Sequence, residues 1–245
     1  MKQFTESQLR YARLAWGRQY VYSASEYERT RKKYAFLYGD LLPPGKDANI
    51  LDVGCAGGRF LSFLQGRGYT NFYGIDLDDE AVAQCHINIT NQASVEDVFS
   101  YLRDRADSYD LIVCNHVIEH FSREGSMALL EAFHRSLKSR GRVIIATPNA
   151  ANYWVGYHFF SDLTHDHLYT AKSLENSLRL AGFAQVSIRE ETPVPYNALH
   201  AIRYLLWKVR RLYLSAMFAI EVSAGFYEPM TMCFARGIIG VADKE

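Results

Sequence analysis

Two patterns of apolar residues alternate along the chain. Short, mostly apolar runs at 50–53 (Ile-Leu-Asp-Val), 72–75 (Phe-Tyr-Gly-Ile), 111–114 (Leu-Ile-Val-Cys) and 143–146 (Val-Ile-Ile-Ala) suit strands buried on both faces. Between them apolar positions recur at helical spacing, as at Phe60, Leu61, Phe63 and Leu64 and again over 126–138. The same reading predicts a helix at 80–85 capped by Asp78 and Asp79, and one at 171–181 stopped by Gly182. A further helix would run to Arg105 from a capping box of Ser94 and Asp97. Strands are expected at 87–90, 185–190 and 230–241. The pattern predicts helices over 1–45, ending at the breakers Leu42-Pro43-Pro44-Gly45.

Strands alternating with helices at this spacing predict an α/β fold, a doubly wound, mostly parallel seven-stranded sheet of Rossmann-like type. The chain reads as a single domain, 1–245: an N-terminal helical cap (1–45), a core (46–191), a helical insertion (192–228) and a last strand (229–245). A loop at 149–170, rich in aromatics and histidine, exceeds a minimal sheet.

Composition narrows the classes. With 27 basic and 27 acidic residues, no overall field favours nucleic acid as a partner. Cys55, Cys85, Cys114 and Cys233 lack metal-type spacing and read as reduced thiols, which points to the cytoplasm. The amino terminus interleaves charges with apolar residues, unlike a signal peptide, and no membrane span is expected.

The densest chemical signal is 50–60, a strand ending in Gly54-Cys55-Ala56-Gly57-Gly58 and opening a helix. Glycines there let a ligand approach the backbone, and exposed amides suit a polar group. Asp76, ending the next apolar run, is placed to hold ribose hydroxyls. A dinucleotide is disfavoured, because Ala56 and Arg59 stand where its fingerprint needs glycines. The run from Asp52 to Gly58 resembles the first motif of class I S-adenosylmethionine-dependent methyltransferases, with Ala56 in place of a glycine. The segment 109–121, with its Glu119-His120 pair, resembles the ubiquinone-type and sugar O-methyltransferase branch, and Thr164-His165-Asp166 resembles a run of the same branch.

The resemblance implies S-adenosyl-L-methionine as cofactor in a methyltransferase fold. Its methionine end would lie near Asp52, Gly54 and Asn115, its ribose on Asp76 and its adenine near Gln92, Ala93 and Ser94, with Cys55, Ala56, Gly58, Leu77 and His116 as further cofactor-binding residues. His120 or His165, with Glu119, suits a general base. His116, Glu119 and His120 also form HxxEH, a spacing that holds a divalent metal on a helix; such an ion is possible here but not expected. Tyr153, Trp154, Tyr157 and His167 could face a ring-bearing substrate or simply pack the loop against the sheet.

Residues 196–215 carry Arg203, Lys208, Arg210 and Arg211 opposite an apolar arc. A docked surface helix or homodimer contact is the first reading, and a peripheral contact with the inner face of a membrane the second. The function read from these features is methyl transfer to a hydroxyl of a small-molecule or lipid-linked sugar in polysaccharide or glycolipid biosynthesis. The alternatives are a ubiquinone-type phenolic acceptor and a non-catalytic cofactor-binding module docked on a membrane complex.

Overall fold

The computed structural model describes residues 11, 14, 22–221 and 232–245. Its strands are β1 (Ile50–Val53), β2 (Phe72–Asp76), β3 (Ala93–Val95), β4 (Tyr109–Asn115), β5 (Leu137–Pro148), β6 (Gln185–Glu190) and β7 (Gly237–Asp243). They form one sheet in the order β3-β2-β1-β4-β5-β7-β6, with β1 to β5 parallel and β7 antiparallel to both neighbours. The helices are α1 (Ala24–Tyr38), α2 (Arg59–Gly66), α3 (Asp79–Asn88), α4 (Val98–Leu102), α5 (Arg123–Ser136), α6 (Val155–Phe160), α7 (Ala171–Leu180) and α8 (Ala198–Glu221).

The unbroken runs are strands because both sides of the sheet are covered. Leu51, Ile112, Cys114, Val143 and Ile145 point into one core with Leu129, Phe133, Leu174 and Leu178 of α5 and α7. Their neighbours Ile50, Leu111, Val113, Ile144 and Ala146 point into the other, with Leu37 and Tyr38 of α1, Phe60 and Leu64 of α2 and Val82 of α3. A period of two has split one run into two apolar faces. The order reverses between β1 and β4, so the crevice where such sheets bind ligands opens at the carboxyl ends of those two strands.

Several expected boundaries move. Residues 87–88 close α3 instead of starting a strand, and the third strand is the edge segment β3, of which only Ala93 is buried. Ser94 lies in β3, so there is no capping box with Asp97; Asp97 alone caps α4, accepting from Ser100 N. The helix expected at 126–138 begins earlier, where the Ser122 hydroxyl accepts from Gly125 N, and β5 takes over at Leu137. α1 opens on a capping box of Ser23 and Glu26. The last strand begins at Gly237; residues 230 and 231 of the expected 230–241 lie outside the described residues, as does most of 1–21.

The insertion is one helix of 24 residues with no buried side chain. Leu199, Ile202, Leu205, Leu206, Val209, Leu212 and Tyr213 all lie exposed. Docking of that arc on the protein's own core is therefore corrected. Arg211 of α8 instead pairs with Glu190 at 2.5 Å. No helix among the described residues is long and apolar enough to cross a membrane. All four cysteines are free and buried.

Candidate active site

The turn after β1 is held in an unusual backbone shape. Gly54, Ala56 and Gly58 all have positive φ, at 73°, 44° and 78°. A Cβ on Gly54 would collide with Val117 Cγ2, and one on Gly58 would meet Cys85 Sγ at 2.6 Å, so both positions need glycine for space as well as for φ. Ala56 carries its methyl group in the left-handed region, a strain of about 1–2 kcal/mol. Ala56→Gly relieves that strain against a glycine entropy loss of about 0.5–1 kcal/mol, so a rise in Tm of about 1–3 °C is expected by calorimetry. A fall would show that the methyl group packs usefully.

Asp76 ties this turn to the end of β2. Its carboxylate accepts from Ala56 N at 2.8 Å and from Asp78 N at 2.9 Å. Burial raises its pKa, while those amides pull it down. Asp52, one strand over and almost fully buried, is pushed up to about 8 by burial first and by the charge of Asp76 second. A buried carboxyl coupled to a half-buried one makes a site that favours a cation. Cys55 is buried against Gly74, and its thiol pKa is raised by the same surroundings. Leu77 is half-buried between Asp76 and Asp78.

At the end of β4, Asn115 Oδ1 accepts from Tyr38 Oη at 2.6 Å, while its buried Nδ2 has no hydrogen-bond partner among the described residues. Tyr27 donates to the Gly57 carbonyl at 2.9 Å, and Tyr22 lies under the Arg59 guanidinium at 3.6 Å. α1 is thus roofed over the glycine turn by tyrosines that a sequence reading assigns to core packing. Tyr27 and Tyr38 recur at helical spacing along α1, a signal that does not distinguish a core face from a ligand face.

The adenine residues need correction. Gly74 pairs with Ala93 and Asp76 with Val95, so Gln92, Ala93 and Ser94 lie below the carboxyl end of β3. The residues beside Asp76 are Val95, exposed at 48%, and Glu96, whose N–H donates to the Asp76 carbonyl.

Past β4 the chain makes a 3-10 turn, Ile118–His120, not an α-helix, so the HxxEH spacing does not align its histidines. His116 has φ 56° and sets its ring between two buried carboxylates, with Nδ1 3.4 Å from Glu119 and Nε2 3.8 Å from Glu191. Burial lowers its pKa, but those two acids outweigh burial and raise it overall. Glu119, buried and held by His116 and by the Thr147 hydroxyl at 3.2 Å, stays below the usual carboxylate range. The predicted trio of His116, Glu119 and His120 is not what gathers. Glu119, His120 and His165 do, with one ligand atom from each lying within 4.8 Å of the others.

His165 arrives because the Glu119 carbonyl accepts from Asp166 N at 2.9 Å and His167 N at 3.1 Å, pinning the 164–167 loop beside the turn. Thr164 Oγ1 donates to Asp162 Oδ1 at 2.6 Å and sits 2.8 Å from His120 Nδ1. An ionised Asp162, its pKa lowered chiefly by Thr164 against the cost of burial, only accepts; the Thr164 hydroxyl therefore gives its proton to Asp162 and accepts from His120 Nδ1–H. That chain leaves Nε2 as the proton-accepting nitrogen of His120. The His165 ring lies 5.0 Å away, its pKa lowered by burial and then by His120.

His167 packs instead against the buried Tyr169 ring at 4.6 Å, outside the cluster. Tyr153, Trp154 and Tyr157 are exposed at 77%, 61% and 73%, so they do not pack the loop onto the sheet.

Comparison with known proteins decides the family. The profile described as "Methyltransferase domain" matches residues 22–188, more than half of the chain. The chain belongs to the methyltransferase domain family. A ubiquinone biosynthesis O-methyltransferase of Thiobacillus denitrificans is 30% identical over 174 residues, 65% of this chain and 73% of that protein. One from Pseudomonas syringae pv. tomato is 34% identical over 41% of this chain and 44% of its own length. Among solved structures, an S-adenosylmethionine-dependent methyltransferase from Archaeoglobus fulgidus shares the fold at 19% identity, covering 87% of this chain and 92% of its own, with a TM-score of 0.63. The chain is accordingly a methyltransferase, and its fold is that of an S-adenosylmethionine-dependent enzyme. Its turn fits a polar, cationic group on its own geometry, since a buried amide nitrogen of Asn115 has no partner among the described residues and the buried Asp52 acts on the half-buried Asp76.

Proposed function

We propose that this enzyme methylates a hydroxyl oxygen of a ring-bearing acceptor, a phenol in preference to a sugar. The observation that carries the reading is the Asp162–Thr164–His120 chain, which engages His120 Nδ1 and leaves Nε2 as the nitrogen that can take a proton. The names of the relatives, ubiquinone biosynthesis O-methyltransferases, support a phenol better than the sugar that the motifs first suggested. Exposed Tyr153, Trp154 and Tyr157 offer flat faces to such a ring.

Bound S-adenosylmethionine supplies a methyl group made electrophilic by its sulfonium. Asp52, Gly54 and Asn115 would hold its methionine end, Asp76 its ribose, and Val95 with Glu96 the adenine side. His120 Nε2 would take the proton of the acceptor hydroxyl as that oxygen receives the methyl group the cofactor would supply. Glu119 offsets the positive charge that this proton places on the imidazole. His165, kept neutral by burial, leaves that charge room to form.

A second reading has its own observation, because Glu119, His120 and His165 converge closely enough to share a divalent ion that would polarise the hydroxyl. Transfer of a labelled methyl group to a panel of catechols and of free and nucleotide-linked sugars, with and without chelator, separates the cases. We expect catechols to exceed sugars at least tenfold in kcat/KM, with no chelator effect. Sugar-only turnover overturns the phenol preference, and loss of turnover on chelation replaces the base by the metal.

A further inference from the structure

A cavity of about 350 Å³ opens beside the cofactor turn, lined by α1, the first residue of α2, the segment after β6 and the start of α8. Its charged lining is basic throughout: Arg29 and Lys33 from α1, Arg59 after the glycine turn, and Arg203 from α8. Neither Arg29 nor Arg203 forms an ion pair among the described residues. Arg59 stacks on Tyr22, and its buried Nε lacks a hydrogen-bond partner. Lys33 alone is neutralised, at 2.5 Å from Glu191.

Arg29, Arg59 and Arg203 bring to one cavity three guanidinium groups without an ion pair among the described residues; Glu26, outside the lining, acts on Arg29 and Arg59, and the positive excess that is left favours an anion. Planar guanidinium groups are suited to bidentate contact with phosphoryl oxygens. S-adenosylmethionine does not answer this excess, since its carboxylate comes with its own ammonium and sulfonium. The cavity also adjoins the transfer site. Glu191 connects Lys33 on the cavity wall to His116, and His116 contacts Glu119.

We propose that this cavity is an anchor for a phosphoryl group, a phosphate ester or diphosphate, borne by the methyl acceptor. The identity of the ligand as acceptor rests on the methyl-transfer reading above; the anion site itself does not. Its placement explains why α8, which buries nothing, is held near α1: the helix brings Arg203 to the cavity to complete the site.

The test begins with calorimetry. Inorganic pyrophosphate is titrated into wild-type protein saturated with S-adenosylhomocysteine, then into the Arg29→Ala/Arg203→Ala double variant. Wild type is expected to bind, and the variant at least tenfold more weakly, with S-adenosylhomocysteine affinity the same in both. A catechol bearing a phosphate ester should then surpass the unphosphorylated catechol at least tenfold in kcat/KM, and the double variant should erase that preference. No pyrophosphate binding in a sample that binds S-adenosylhomocysteine overturns the anchor while leaving the methyltransferase reading intact. Binding that survives the double substitution overturns the site. Displacement of one ligand by the other assigns the cavity to the cofactor's carboxylate and also overturns it. Stimulation of the unphosphorylated catechol by free pyrophosphate would make the anion an effector, against an anchor on the acceptor.

Discussion

His120→Ala is expected to lower kcat about 10²- to 10⁴-fold, the usual contribution of a positioned general base. Affinity for S-adenosylhomocysteine should stay within about threefold, because His120 lies in the turn past β4 and not in the glycine turn between β1 and α2. The supporting chain predicts a graded companion. Thr164→Val removes the 2.8 Å contact that fixes the Nδ1–H tautomer and ring orientation, so it should cost about 10-fold in kcat, with the base itself still present. Single-turnover rates and calorimetric titration of each variant check both values. Wild-type rates in His120→Ala would remove the imidazole from the chemistry and leave a substrate activated by desolvation alone.

The second large effect lies at the cofactor turn. Asp76→Ala removes the carboxylate that ties Ala56 N to the end of β2, together with the charge-assisted bonds proposed for it with ribose hydroxyls. A loss of about 2–4 kcal/mol follows, or about 30- to 1000-fold in affinity. Asp52 adds a pH dependence whose sign can be worked out. Its pKa in the cofactor-free fold, about 8, stands above the unfolded value, so the fold takes up a proton at neutral pH and loses stability as pH rises through about 8. A cation in the site favours the ionised carboxylate, so cofactor affinity should instead rise between about pH 6.5 and 8.5, with a proton released on binding. Calorimetry in buffers of different ionisation enthalpy reads that proton directly. Asp76→Ala with unchanged affinity would move the ribose elsewhere.

The strands that were readable from apolar runs are those sandwiched between two helical layers, where every position is buried: β1 and the inner parts of β4 and β5. β3 escaped because it is three residues at the sheet edge with one buried side chain, whereas Ile87 and Ile89, at the end of α3, mimic a strand. That slip carried the adenine assignment with it. The glycine turn and Asp76 were legible because strand, turn and strand are local. Glu119, His120 and His165 were each legible as candidates for the base, but their convergence was not, since the loop of His165 is held beside Glu119 by backbone bonds that spacing cannot show. Spacing along the chain offered His116 instead, and the positive φ there turns its ring to the two carboxylates. Arg29, Lys33 and Arg203 form one cavity only after α8 folds back toward α1, and no linear motif records that.

The central claim is that the turn between β1 and α2 binds S-adenosylmethionine for catalysis. Its most direct test is calorimetric titration of the wild-type protein with S-adenosylhomocysteine at pH 8. The structure predicts one site per chain with micromolar affinity, about −8 kcal/mol. A folded sample that takes up neither S-adenosylhomocysteine nor S-adenosylmethionine would contradict it.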